Sequence, residues 1–301
     1  MPTGANYSDS NAAELIISIL ALVKGEIVIV QTSLIGTILG DLLLVLGTSF
    51  IAGGYNRIEQ KFNTTVAQTS SGLLALAVGS LIVPTAFHVA SPSNQGLIEL
   101  SRGAAVVLLL VYASYLLFQL KTHSGMFNEP SEKSPKRNHV EPAGKSLVNA
   151  SANVSHAVVM GKPRPEEEDP VEEEKEELAL TLWAAVILLV ASTALTAICS
   201  ECLLDSIDHL VTNTGINKVF VGLILLPIVG NAPDQATAVS VAVKDKIDLS
   251  IGVAIGSSLQ TALLIIPFIV VLGWIIGEDR MTLYFDEFQV IILFVSVLLV
   301  N

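Results

Sequence analysis

Glu14 and Asp234 are carboxylates that open apolar stretches, and each follows an asparagine by three residues, Asn11 and Asn231. The two settings are copies. Residues 11–47 and 231–267 align at a constant offset of 220 without a gap, so that Asn11, Glu14, Lys24, Gly36, Leu39 and Leu43 fall on Asn231, Asp234, Lys244, Gly256, Leu259 and Leu263. A spacing of three puts an amide and a carboxylate on one helical face. Both are hard oxygen donors, suited to calcium rather than to a soft metal. A carboxylate inside lipid is expensive, so it normally faces a polar cavity and marks an ion or proton route. Two of them at equivalent positions imply one shared site.

The stretch after the second motif adds Ser257 and Gln260 on one helical face, beside Gly256 and Ser258. Small residues more often serve to bring membrane helices close together, whereas the Gln260 amide in an apolar span needs partners. In the first copy the same register gives Gly40, with Asp41 beside it. Gln31 and Ser33 stand at the start of that span, where an interfacial role competes with a ligand role. Gly222, Pro227, Gly230 and Pro233 interrupt one span within twelve residues. A proline inside a helix frees the carbonyl four residues earlier, here those of Leu223 and Val229. Unwound backbone at membrane depth is tolerated where it lines a cavity, and its carbonyls can ligate a cation.

Glu201, Asp205 and Asp208 form a stripe at spacings of four and three, either a vestibule for cations or a solvated helix end. Cys199 and Cys202 have no thioredoxin-like setting, second cysteine pair or histidine cluster around them, and two small apolar core residues account for the spacing. The five histidines lie outside both motifs. Gly40-Asp41 lacks the preceding glycine and the partner Tyr-Asp motif of an intramembrane acid protease, so no enzyme is expected.

These residues must be carried by membrane helices. Of the 301 residues, 51% are hydrophobic and only 15% charged, and the mean hydropathy is +0.65. A helix needs about 20 largely apolar residues to cross a bilayer. Eight stretches qualify or nearly do: 11–23, 31–53, 67–90, 102–121, 179–204, 219–243, 249–275 and 286–301, the first and last being short. Residues 1–10 show no cleavable signal peptide. A polar linker, 122–178, divides the chain into a first repeat, 1–121, and a second, 179–301. The linker ends in a run of nine acids against one base, with Glu172, Glu173, Glu174, Glu176 and Glu177 after Pro170. That run is read either as a solvated charge run or as an acidic helix that captures or senses calcium weakly, since a tight site needs roughly 6–8 converging oxygens.

The first motif lies in the first span and its partner in the sixth, so the two enter the membrane in opposite directions, as in an inverted repeat. One face carries twelve basic residues, including Arg57, Lys61, Lys244 and Lys246; the other carries four, Lys24, Arg102, Lys218 and Arg280. The positive-inside rule makes the first face, and the linker, cytoplasmic.

The segments Ser10-Asn-Ala-Ala-Glu-Leu-Ile-Ile-Ser-Ile19 and Gly230-Asn-Ala-Pro-Asp-Gln-Ala-Thr-Ala-Val239 carry a family resemblance. So do Leu42-Leu-Leu-Val-Leu-Gly47, Gly53-Gly-Tyr-Asn-Arg57, Glu99-Leu-Ser-Arg-Gly103, Gly222-Leu-Ile-Leu-Leu-Pro-Ile-Val-Gly-Asn231 and the stretch from Lys244 to Gln260. The chain resembles the vacuolar calcium/proton exchangers of the cation/calcium exchanger superfamily, over nearly its whole length. The resemblance implies an all-α polytopic membrane protein of inverted-topology repeats in the vacuolar membrane, exchanging cytosolic Ca2+ for vacuolar H+ and needing no cofactor. It implies that Glu14 and Asp234 hold the ion, that Asn11, Asn231, Ser257 and Gln260 surround them, and that Glu201 matches a family acid near the mouth of the path. The expected surroundings are lipid and a possible second copy of the chain, with no nucleic acid.

The departures bear on the ion site. Ser10 replaces a motif glycine, Pro233 an alanine, Gln235 a histidine and Asp234 a glutamate, and Gly40-Asp41 replaces a Ser-Asn pair. Family members usually have about eleven spans, so the chain is expected to be truncated at both ends. A second reading, a truncated or degenerate homologue without transport of its own, follows from the same features.

Overall fold

The computed structural model describes residues 10–55, 57–90, 96–128 and 182–301, which are predominantly helical with no strand among them. Among these described residues nine helices carry the fold. They are α1 (Ser10–Val23), α2 (Ile27–Gly54), α3 (Thr64–Ala90), α4 (Leu97–Thr122), α5 (Leu182–Thr214), α6 (Lys218–Gly230), α7 (Ala232–Val243), α8 (Ile247–Ile276) and α9 (Glu287–Val300). The sequence spans fall on these helices one for one, with α6 and α7 together making the sixth. Five are long and apolar enough to cross a membrane by themselves, or six with the α6–α7 pair counted as one broken span; α1 and α9 are apolar but shorter.

The interior belongs to α2 and α8. Ile35, Ile38, Val45, Ala254, Leu263, Ile266 and Ile269 are all sealed from solvent, whereas α4 and α5 turn Val107, Leu110, Ile187 and Leu195 outward, as lipid-facing helices do. Both central helices widen to a π-helical turn at matching places, Gly40–Val45 in α2 and Thr261–Ile265 in α8. Such turns recur at functional sites because they shift the register of the side chains that follow.

The two halves run in opposite directions. Helix α1 climbs from Asn11 to the turn at Lys24–Glu26, and Lys24 pairs with Asp205 at 2.5 Å while Glu26 pairs with Lys218 at 3.1 Å. Its counterpart α7 runs from Asn231 to the turn at Lys244–Lys246, where Asp245 meets Arg57 at 3.0 Å. Arg102 pairs with Asp279 at 2.6 Å and Arg280 with Glu278 at 2.7 Å. Thus Lys24, Arg102, Lys218 and Arg280 share one face, each with an acid partner, and Arg57 lies on the other.

The span read as proline-broken bends by 48° between α6 and α7. Asn231 sits at the break with φ −84° and ψ 5°. Pro233 falls in the first turn of α7, where a missing N–H removes no helical bond. Pro227 leaves the Leu223 carbonyl free of its helical partner, and that oxygen lies against Gly36 of α2.

One sequence expectation needs correction. Cys199 and Cys202 are exposed on α5 and are not core residues: that helix packs chiefly through Ser200, Leu204 and Ile207. Of the two roles open to Gln31 the structure favours the interfacial one, since its amide donates to the carbonyls of Thr282 and Tyr284, both at 3.0 Å, and so pins the loop before α9.

Candidate functional site

The repeat motifs place Asn11 and Glu14 at the start of α1, and Asn231 and Asp234 at the α6–α7 break. All four side chains are buried, and the central helices α2 and α8 supply their partners. On the α8 side, Asn11 Nδ2 donates to Gln260 Oε1 at 2.8 Å and reaches the Ser257 carbonyl at 3.5 Å, while Ser257 Oγ donates to Asn11 Oδ1 at 3.0 Å. On the α2 side, Asn231 Nδ2 donates to Asp41 Oδ1 at 3.0 Å and to the Thr37 carbonyl at 3.2 Å. Residue 37 plus the offset of 220 is residue 257, so each motif asparagine bonds the same carbonyl in the opposite half.

The symmetry stops at the hydroxyls. Ser257 serves Asn11, whereas Thr37 Oγ1 donates to Glu14 Oε1 at 3.0 Å. Glu14 Oε2 and Asn231 Oδ1 are buried oxygens without a hydrogen-bond partner. Leaving buried polar atoms unpaired normally costs about 1–3 kcal/mol each. Acceptors of this kind are what a cation would satisfy. Asp41 lies near enough to feel the charge of Glu14 and of Asp234, and Glu14 that of Asp234, and the Ser257 and Ser258 side chains face Asp41.

Among the described residues no group of three or more His, Cys, Asp or Glu side chains converges closely enough to hold a metal ion. A bound ion would therefore draw on amide and hydroxyl oxygens as well as carboxylates, which fits calcium's appetite for many hard donors. A narrow cleft is lined by Glu14, Ser18, Ser33, Thr37, Leu226, Pro227 and Gly230 among others. Its lining follows α1 from Glu14 toward the Lys24 face.

The structure thus brings together Glu14, Asp234, Asn11, Asn231, Gln260, Ser257 and Asp41. It does not bring Glu201 to them, since that residue is exposed on α5. Asp205 of the same stripe is bound to Lys24, and this contact raises the Lys24 pKa above its ordinary value. Glu172, Glu173, Glu174, Glu176 and Glu177 lie outside the described residues. Ser33 lines the cavity and donates to the Val30 carbonyl. Sequence reasoning missed Thr37, although the offset that exposed the motifs also pairs Thr37 with Ser257.

Fold and site together define a polytopic helical membrane protein with one polar cluster built from both halves of an internal repeat. Residues 10–121 and 184–301 match the family model described as sodium/calcium exchanger protein, and the chain belongs to that family. It is 41% identical over 300 residues to a vacuolar calcium ion transporter of Schizosaccharomyces pombe, an alignment covering 98% of this chain and 63% of that protein. It is 37% identical over 298 residues to a Ca2+/H+ antiporter of Synechocystis sp., covering 98% of this chain and 73% of that one. The solved structure of native YfkE superposes with a TM-score of 0.72 at 30% identity, over 97% of this chain and 72% of YfkE. The chain therefore spans a little under two thirds of the fungal relative's length.

Proposed function

We propose that this chain works as a secondary active transporter that exchanges cytosolic Ca2+ for H+ across a vacuolar membrane, as a carrier and not an enzyme. The observation that carries this reading is the pair of buried, unpartnered oxygens on Glu14 and Asn231, contributed by α1 and the α6–α7 break. The names of its relatives support the same substrates, and that of the fungal relative the same membrane. Glu14 and Asp234 neutralise the calcium ion, and Asn11, Asn231, Ser257 and Gln260 complete or orient its surroundings. Protons and calcium compete for the same two carboxylates, so a proton gradient drives calcium the other way while the two repeats rock to expose the site alternately. The repeats are residues 1–121 and 179–301, joined by a cytoplasmic linker, with the Arg57 face toward the cytoplasm.

The test is calcium entry into liposomes holding the purified chain, with an acidic interior and a trapped indicator. Saturable, gradient-dependent uptake is expected, abolished by Glu14→Gln and by Asp234→Asn. Uptake that survives both substitutions overturns the assignment.

A further inference from the structure

Each motif asparagine is held by a clamp from the opposite half, and the two clamps differ in chemistry. Asn11 gives its Nδ2 to Gln260 Oε1 at 2.8 Å and takes a hydrogen bond from Ser257 on Oδ1 at 3.0 Å. The residue at the Gln260 register in the first half is Gly40, which has no side chain to offer. Asp41, one residue on and inside the π-helical turn of α2, supplies the acceptor instead, at 3.0 Å from Asn231 Nδ2. Gly40 makes this possible. A Cβ there would stand 2.9 Å from Asn231 Nδ2, closer than side-chain atoms pack, and would push the amide off its acceptor.

An amide can turn over and exchange its oxygen for its nitrogen, so a side chain with both a donor and an acceptor would hold Asn231 in either sense. The Asp41 oxygen and the Thr37 carbonyl at 3.2 Å both accept, and both claim the same nitrogen. Only one orientation satisfies them. That orientation leaves Asn231 Oδ1 buried and unpartnered, as Glu14 Oε2 also is.

We propose that Asp41 is a positioning residue for the cation site: it anchors the Asn231 amide nitrogen so that the amide oxygen is presented to the ion, as Gln260 anchors Asn11 in the other half. The proposal rests on the reading of Glu14 and Asp234 as calcium ligands. Asp41 acts through Asn231, and its contribution is the geometry of that oxygen. Partners one layer out from a metal typically change affinity 10–100-fold when removed, so the effect is measurable in binding.

The experiment measures equilibrium calcium binding to the purified chain in lipid nanodiscs, with thermal unfolding recorded for every variant. Asp41→Leu is expected to weaken calcium binding about tenfold. Asp41→Asn keeps a side-chain oxygen in place for Asn231 Nδ2 and is expected to stay within about threefold of the native chain. In an Asn231→Leu background, Asp41→Leu is expected to add less than about twofold, because residues acting through one group are non-additive. Gly40→Ala, which displaces the amide while leaving the carboxylate, is expected to match Asp41→Leu and gives the same answer if the leucine variant does not fold. The proposal is overturned if Asp41→Asn is as damaging as Asp41→Leu, which would make charge the operative property. It is also overturned if the effect of Asp41→Leu persists undiminished without Asn231. A Glu14→Gln control that still binds calcium like the native chain would instead overturn the underlying site assignment.

Discussion

Gly36 and Gly222 set how closely α2 and α6 approach, and the structure distinguishes sharply between losing one and losing the other. A Cβ on Gly36 would lie 2.3 Å from the Leu223 carbonyl oxygen and 2.5 Å from Pro227 Cγ. Neither neighbour can rotate away, since one is backbone and the other a ring fixed to it. Restoring an ordinary contact requires the helices to part by on the order of 1 Å, and overpacking of this kind costs about 1–3 kcal/mol. Alanine regains roughly 0.5–1 kcal/mol of helix propensity, so Gly36→Ala should destabilise the protein by about 1–2 kcal/mol. A Cβ on Gly222 would lie 1.9 Å from Thr32 Oγ1 and 2.9 Å from Thr32 Cβ. Here the offending atom is a hydroxyl bonded only within its own helix, to the carbonyls of Val28 and Ile29. Adding Thr32→Ala to Gly222→Ala removes the worse contact and should recover roughly half the loss, while leaving Gly36→Ala unimproved. The assay is thermal unfolding of purified chain in detergent, with calcium binding in parallel. Moving α2 also stretches the 3.2 Å bond from Asn231 to the Thr37 carbonyl, so Gly36→Ala should weaken binding too. A Gly36→Ala protein as stable as the native one would refute the packing argument, and so would a Gly222→Ala protein that Thr32→Ala fails to improve.

Thr37→Val deletes the hydrogen bond from Thr37 to the Glu14 carboxylate; removing it should change calcium affinity by about tenfold while Thr37→Ser, which keeps the hydroxyl, stays near native, as equilibrium binding would show. Arg57 holds Asp245 at 3.0 Å and donates to the Val243 and Gly53 carbonyls. Arg57→Leu should therefore lower stability by about 1–3 kcal/mol, and Arg57→Lys should recover only part because it lacks the guanidinium fork. On the opposite face, the hydrogen bonds from Arg280 hold the Glu278 pKa below its ordinary value. A depressed carboxylate contributes stability that is present above its unfolded value of 4.5 and lost as pH falls through the lowered one. The unfolding difference between the native chain and Glu278→Gln should accordingly be the same at pH 7 and about pH 5.5, and vanish only in stronger acid.

Much of this architecture was legible because membrane helices announce themselves by length and apolarity, and because a gapless repeat at offset 220 singles out Asn11, Glu14, Asn231 and Asp234. The opposite sense of the halves followed from counting spans, and the ion pairs keep to the two faces that counting defined. What the sequence hid is what depends on which surfaces meet. Thr37 looks like any threonine in an apolar helix until α1 is laid across α2. Serine and threonine at the same repeat position serve different acceptors, Asn11 in one half and Glu14 in the other. Glu201 and the two cysteines share an apolar segment whose sequence does not say which side faces the bundle, and the helix turns them outward. The Gly36–Leu223 contact was invisible for the same reason: a glycine in an apolar run signals close approach without naming what approaches.

The central claim is that Glu14 and Asp234, from opposite repeats, form one cation site. Equilibrium calcium binding to the purified chain in nanodiscs tests this most directly, with bound calcium counted per chain and released protons followed in weakly buffered solution. One calcium per chain is expected, bound with release of protons, and either Glu14→Gln or Asp234→Asn alone should abolish it. Two calcium ions per chain, or a site that one substitution leaves intact while the other removes it, would contradict the account.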